Sequence, residues 1–99
     1  MKTFSYLALG DSYTVGEQVL TEYNFPNQTV QLLNGILTAP EIIAVTGWTT
    51  DELNVAIDVA KISKEYDIVS LLIGVNNQYR GRSTNNFKIE FEQLLFLCC

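Results

Sequence analysis

Three short apolar runs, at residues 4–9, 41–45 and 67–73, alternate with stretches that carry a helical rhythm. This alternation constrains the fold more than any other feature of the chain. Strands that alternate with helices build a parallel sheet, because each crossover must return over a face of the sheet and cover it. The first run ends in Gly10 and suits a buried strand, and the second starts after Pro40. The third, residues 67–73, is apolar nearly throughout, the pattern of a strand covered on both faces. Residues 26–37 place Val30, Leu33 and Leu37 on a helical stripe, with Pro26 where a first turn tolerates it. Thr49 and Glu52 have the spacing of a capping box, opening a helix with Leu53, Ala56, Ile57 and Ala60 on one face. Asn85 or Asn86 caps a last helix whose stripe is Phe87, Phe91, Leu94 and Leu95. The expected order is βαβαβα, and the commonest small arrangement of such strands is 2-1-3.

With 99 residues the chain makes one small domain. Apolar residues form 47% and charged residues 17%, which is a globular rather than a disordered composition. The net charge of -5, with six Lys plus Arg, argues against nucleic acid as a partner, since phosphate contacts need a basic patch. No apolar run approaches the ~20 residues that span a membrane. Residues 1–9 faintly resemble a signal peptide, but their apolar core is short and no cleavage site precedes Gly10. They read as a first strand, and the cytoplasm is the default location. Cys98 and Cys99 are adjacent and terminal, so they make no ordinary disulfide framework. Such a pair also fits a prenylation signal, but no GTPase motif accompanies it. With no histidine and no other thiol, the usual zinc ligand sets are excluded and no metal is expected. Gly10 and Gly16 have neither the spacing nor the following Lys of a P-loop, and no Gly-x-Gly-x-x-Gly occurs, so no cofactor is expected and a nucleotide-binding module is disfavoured.

In open α/β sheets, function gathers at the carboxyl ends of the strands near the switch point. Each run here ends in small or polar residues: Gly10, Asp11 and Ser12; Thr46 and Gly47; Gly74, Val75, Asn76 and Asn77. In the order 2-1-3, Ser12 lies between the other two loops, and strands about 4.8 Å apart bring all three within roughly 10 Å. A hydroxyl flanked by backbone N–H groups and a side-chain amide is equipment for acyl transfer: the hydroxyl attacks a carbonyl and the donors hold the oxyanion.

These residues carry a family resemblance. Residues 7–14, around Gly10, Asp11 and Ser12, match the Gly-Asp-Ser block of the GDSL hydrolases, and Gly47 matches the glycine of their second block. Gly74 and Asn76 resemble the third, Gly-x-Asn-Asp, with Asn77 in place of the usual Asp. The chain thus resembles the N-terminal half of an SGNH (GDSL-type) serine hydrolase. The resemblance implies a three-layer, flavodoxin-like α/β fold truncated to about three strands, and hydrolysis of small acyl esters. It implies Ser12 as nucleophile and backbone donor, Gly47 as a second backbone donor and Asn76 as a side-chain donor to the oxyanion. Asp11 would be structural and Asn77 would support its loop. The family completes its triad with a later Asp-x-x-His block, and this chain contains no histidine. Residues 1–99 are therefore expected to be the first part of a single SGNH domain whose C-terminal half is absent, inactive as given. The alternative is a non-catalytic remnant that binds an acyl ligand or a partner chain.

Plainer roles stand beside these. Ser12 alone suits a turn or helix cap, Gly47 a turn, and Asn76 and Asn77 Asx-turns. Arg80 and Arg82 either face an anionic substrate or are solvated charges, and Trp48 is either packing or pocket wall. With strand 3 at the edge, residues 68–73 form an apolar template without lysine, proline or charge, open to self-association.

Overall fold

The computed structural model describes residues 3–60 and 65–98. Three parallel strands, β1 (Tyr6–Gly10), β2 (Glu41–Ala44) and β3 (Ile68–Leu72), form one sheet in the order β2-β1-β3, as expected. The central strand is buried at every residue, because its uncharged run packs on both faces. Leu7 and Leu9 meet Leu53 and Ile57 of α3 (Thr50–Ala60) and Leu94 of α5 (Thr84–Cys98). Tyr6 and Ala8 face the other way, towards Leu37, Ile42 and Val30 of α2 (Phe25–Leu32). The register sets Gly10 opposite both Ala44 and Leu72, so the three strands end level.

The expected helix over 26–37 stops at Leu32. Asn34 and Gly35 take positive φ, 42° and 89°, which ends the helix by turn chemistry that a count of apolar spacings does not see. Leu37 leaves the helical stripe, bridges to Phe4 and is buried there, whereas Leu33 is 40% exposed. The capping box forms by halves. The Glu52 carboxylate accepts from the Thr49 N–H at 3.1 Å, but the Thr49 hydroxyl donates to Asp51 and Glu52 instead of accepting from the helix. Of the α3 stripe, Leu53 and Ile57 are buried and Ala60 is exposed.

The expectation of two covered faces fails at β3. Val69 and Leu71 pack against the α3–α5 core, but Ile68 and Leu72 are 43% and 47% exposed. They point to the α2 side, where the packed cluster reaches β1 and β2 only among the described residues. The last helix is capped by Ser83, whose Oγ accepts from the Asn86 N–H at 3.2 Å. Its Phe87 and Phe91 stack at 5.5 Å, Leu94 is buried, and Leu95 is exposed, unlike the expected stripe. Two short helices, α1 (Ser12–Val15) and α4 (Val75–Tyr79), and a 3-10 turn at Thr21–Tyr23 are too short to show a period in the sequence. No described helix is long and apolar enough to cross a membrane. The Cys98 side chain and Cys99 lie outside the described residues.

Candidate active site

β1 passes straight into α1, and Gly10 makes that passage possible. A Cβ there would lie 2.1 Å from Thr14 Oγ1 and 2.6 Å from the Leu72 carbonyl. Asp11 caps α1, its carboxylate accepting from the Tyr13 N–H at 3.0 Å. It is buried, and burial pushes its carboxyl above the usual carboxylate range against the pull of the Tyr13 and Asp11 N–H groups. That position makes Asp11 a structural cap. Ser12 is the first residue of α1 and only partly buried. Its carbonyl accepts from Gly16, which closes the helix in the left-handed conformation at φ 80°. Its N–H belongs to the first turn, whose donors have no acceptor within a helix. Its hydroxyl has no hydrogen-bond partner among the described residues.

After β2 the chain turns over residues 45–48, with the Trp48 N–H donating to the Val45 carbonyl at 3.3 Å. Gly47 stands at the third position of this turn at φ 88°, where L side chains are strained. The Gly47 carbonyl accepts from the Arg80 guanidinium. Trp48 packs partly buried against the α3–α5 core, so it serves packing.

After β3, Gly74 takes φ 135° and opens α4. Asn76 donates from Nδ2 to the Trp48 carbonyl at 3.0 Å, which leaves one N–H of the same amide free to donate. Asn77 is buried and faces Thr50 at the start of α3: Oδ1 accepts from the Thr50 N–H at 3.1 Å and Nδ2 donates to Thr50 Oγ1 at 2.9 Å. The Thr50 hydroxyl in turn donates a hydrogen bond to the Glu90 carboxylate of α5.

Both arginines are tied down by carboxylates. Arg80 pairs with Glu52 at 3.0 Å and Arg82 with Asp51 at 3.3 Å. The Thr49 hydroxyl, with help from Arg82, holds the Asp51 carboxyl below its ordinary value. Desolvation pushes Glu52 up, but the Thr49 hydroxyl and N–H and the Arg80 charge together hold it below. A cavity of about 530 Å³ lies beyond α4, between Ile73, Gln78, Arg82 and Phe87; neither Ser12, Gly47 nor Asn76 lines it.

The three strand ends are thus gathered in one place: Ser12 leaves the central strand, with the Gly47 turn and the Asn76 helix on either side of it. Residues 8–96 match the sequence profile of the GDSL-like Lipase/Acylhydrolase family, a stretch holding all three blocks. The chain belongs to this family.

Solved structures agree on the fold of this GDSL-like chain. It is similar to the SGNH-hydrolase family esterase AlinE4 (TM-score 0.78, 18% identity, covering 92% of this chain and 50% of that one). It is similar to TesA (TM-score 0.80, 12% identity, 95% and 53%) and to the psychrotrophic esterase EstA from Pseudoalteromonas sp. (TM-score 0.71, 16% identity, 88% and 49%). The GDSL-like chain spans about half the length of each. No curated protein matches its sequence. Sequence reasoning placed the three strand-end blocks but missed the contacts behind them. Thr50, Glu52 and Glu90 gave no signal as partners of Asn77, Arg80 and Thr50, because each pair joins two different helices or a helix and the cap of another.

Proposed function

We propose that this chain carries the nucleophile and oxyanion site of an acyl-ester hydrolase. Ser12 attacks the ester carbonyl, and the Ser12 N–H, the Gly47 N–H and the free Asn76 amide N–H receive the negative charge that forms on the carbonyl oxygen. The observation that supports this most is the level ending of the three strands, since Ser12 follows the central one while the Gly47 turn and the Asn76 helix follow its two neighbours. Both neighbours are held in place, Gly47 through its carbonyl and Asn76 through the Trp48 carbonyl.

The reaction also needs a base to take the Ser12 proton. The chain has no histidine, and the carboxyl next to Ser12 in sequence, Asp11, is buried with Oδ1 engaged in the α1 cap. Ser12 is then a weak nucleophile at neutral pH, and the 99-residue chain alone should show no appreciable turnover. The second reading is a non-catalytic module that binds an acyl ligand or a partner chain.

Intact-mass spectrometry after incubation with a fluorophosphonate, with and without added imidazole as base, tests the first reading. Phosphorus gains the Ser12 oxygen, fluoride leaves, and the proton goes to imidazole. The expected result is a single adduct that maps to Ser12, forms faster with imidazole and is lost in Ser12→Ala. Labelling elsewhere, or none at all, favours the binding module.

A further inference from the structure

We propose that Arg80 is a positioning residue that holds the two oxyanion donors, Gly47 and Asn76, in fixed relation to each other. The inference rests on the reading of Ser12, Gly47 and Asn76 given above. Asn76 lies in α4 and Arg80 caps it, with the Arg80 N–H donating to the Asn76 carbonyl at 2.9 Å. Four residues apart on one helical turn, their side chains leave the same face. They take hold of consecutive carbonyls of the facing turn, Arg80 that of Gly47 and Asn76 that of Trp48.

Gly47 has no side chain to anchor and a wide choice of backbone angles, so its neighbours must set the direction of its N–H. The Arg80 guanidinium fixes one of the two peptide planes that meet at Gly47, the one carrying its carbonyl, and braces that plane with its second arm. Nη2 donates to Gly47, and Nη1 meets Glu52 Oε1 at 3.0 Å, while Glu52 accepts from the Thr49 N–H just beyond the turn. A forked, planar cation fits two diverging acceptors; an ammonium on a flexible stem does not. The Arg80–Glu52 pair has 40% and 39% of its side-chain surface exposed, and such pairs contribute little to stability. Losing Arg80 should therefore disturb the donor geometry far more than the fold. Arg82 supplies a matched control: it pairs with Asp51 across the same gap at similar exposure, and its bonds do not reach Gly47.

The test uses the full 99-residue chain and a small alkylboronic acid. The Ser12 oxygen adds to the trigonal boron to give a tetrahedral boronate, and its proton passes to buffer. Boron NMR reads the adduct, and Ser12→Ala defines the background. Arg80→Lys and Arg80→Met should each weaken Ser12-dependent binding about tenfold, less than the 10²–10³ scale for deleting a donor outright. Arg82→Met should leave it unchanged. In isotope-labelled protein without ligand, the Gly47 carbonyl-carbon shift should move in both Arg80 variants and stay put in Arg82→Met.

Wild-type affinity in the Arg80 variants, an equal loss in Arg82→Met, or an unmoved Gly47 carbonyl would each overturn the inference. Because Arg80→Lys keeps the charge, a loss confined to Arg80→Met would reduce the residue to a surface charge and overturn it too. No Ser12-dependent adduct in the wild type would sink the hydrolase reading itself, and the inference with it. The ligand-free carbonyl shift separates that result from a missing Arg80 contact.

Discussion

Asn77 stands where the GDSL resemblance has an aspartate, and its hydrogen bonds fix the direction of a proton chain. Its Oδ1 meets the Thr50 N–H, which can only donate, so its Nδ2 must face the Thr50 hydroxyl. The hydroxyl, already accepting, gives its single proton to Glu90. An aspartate at 77 would compete with Glu90 for that proton in a buried place, and one carboxylate would go unpaired. Asn77→Asp should therefore cost about 1–3 kcal/mol at neutral pH, the scale of a buried acceptor left unmade. Glu90→Gln should offset part of that loss, a coupling that a double-mutant cycle by urea denaturation can measure. The unpaired carboxyl would have a raised folded-state pKa. The lost stability should then return as pH falls through the raised folded value, and the return should be complete below the unfolded aspartate value of about 4. Additive effects of the two substitutions would contradict the proton chain. The sequence made Asn77 legible as part of a block. Its partners were not, because Thr50 is 27 residues away and Glu90 is 40 from Thr50, and local spacing carries no trace of such pairs.

Among the elements, what could be read was what local physics decides alone. Apolar runs made strands, the Thr49–Glu52 spacing marked the start of α3, and the alternation gave the parallel sheet, whose order β2-β1-β3 is the commonest arrangement of such strands. What could not be read depended on neighbours. Leu37 fits a helical stripe equally well, and only the pairing of Phe4 with the chain around it draws it into an extended bridge. α1 and α4 have fewer residues than a period needs. The sheet also divides its labour by end. At the amino ends side chains bind the strands together: the Ser5 N–H donates to Asp67 at 2.9 Å, and the Tyr66 hydroxyl to Glu41 at the start of β2. The Glu41 hydrogen bond, with burial and the Glu41 charge adding to it, pushes the Tyr66 phenol up to about 12. A folded-state pKa above the unfolded value of about 10 means the tie is fully present below about pH 10 and is lost as pH rises through about 12. The wild-type minus Tyr66→Phe phenolate titration should have its midpoint near 12. Any stability advantage of the wild type over Tyr66→Phe should vanish across that window. An ordinary phenolate midpoint would show that the tie does not persist in solution.

At the scale of the molecule, the open side of β3 has the most to say about behaviour in solution. The Ile68 N–H donates to the carbonyl of Ser5, the residue just before β1, at 3.0 Å. By parallel-strand geometry, Ile68, Ser70 and Leu72 then bond inward to β1, and Val69 and Leu71 turn their N–H and C=O groups outward. Among the described residues no strand receives them. A second copy can do so in one well-matched register. With the two strands antiparallel and a two-fold axis at Ser70, Val69 lies opposite Leu71 of the other copy, and each such pair exchanges two hydrogen bonds. Ile68 then lies opposite Leu72 on the α2 side, where both are half exposed, so the pairing also joins apolar surface that β1 and α2 leave open. The strand has no lysine, proline or charge to discourage this contact. We therefore expect the purified chain to sediment as a dimer or larger assembly held through β3. Leu72→Lys should return it to a monomer, because it sets a charge against Ile68 of the other copy without touching a bond to β1. Hydrogen exchange should follow: slow at the Val69 and Leu71 amides in the assembled protein, fast in the Leu72→Lys monomer, with the Ile68 and Ser70 amides protected in both. A wild-type chain that sediments as a monomer, with rapid exchange at Val69 and Leu71, would refute the β3 interface.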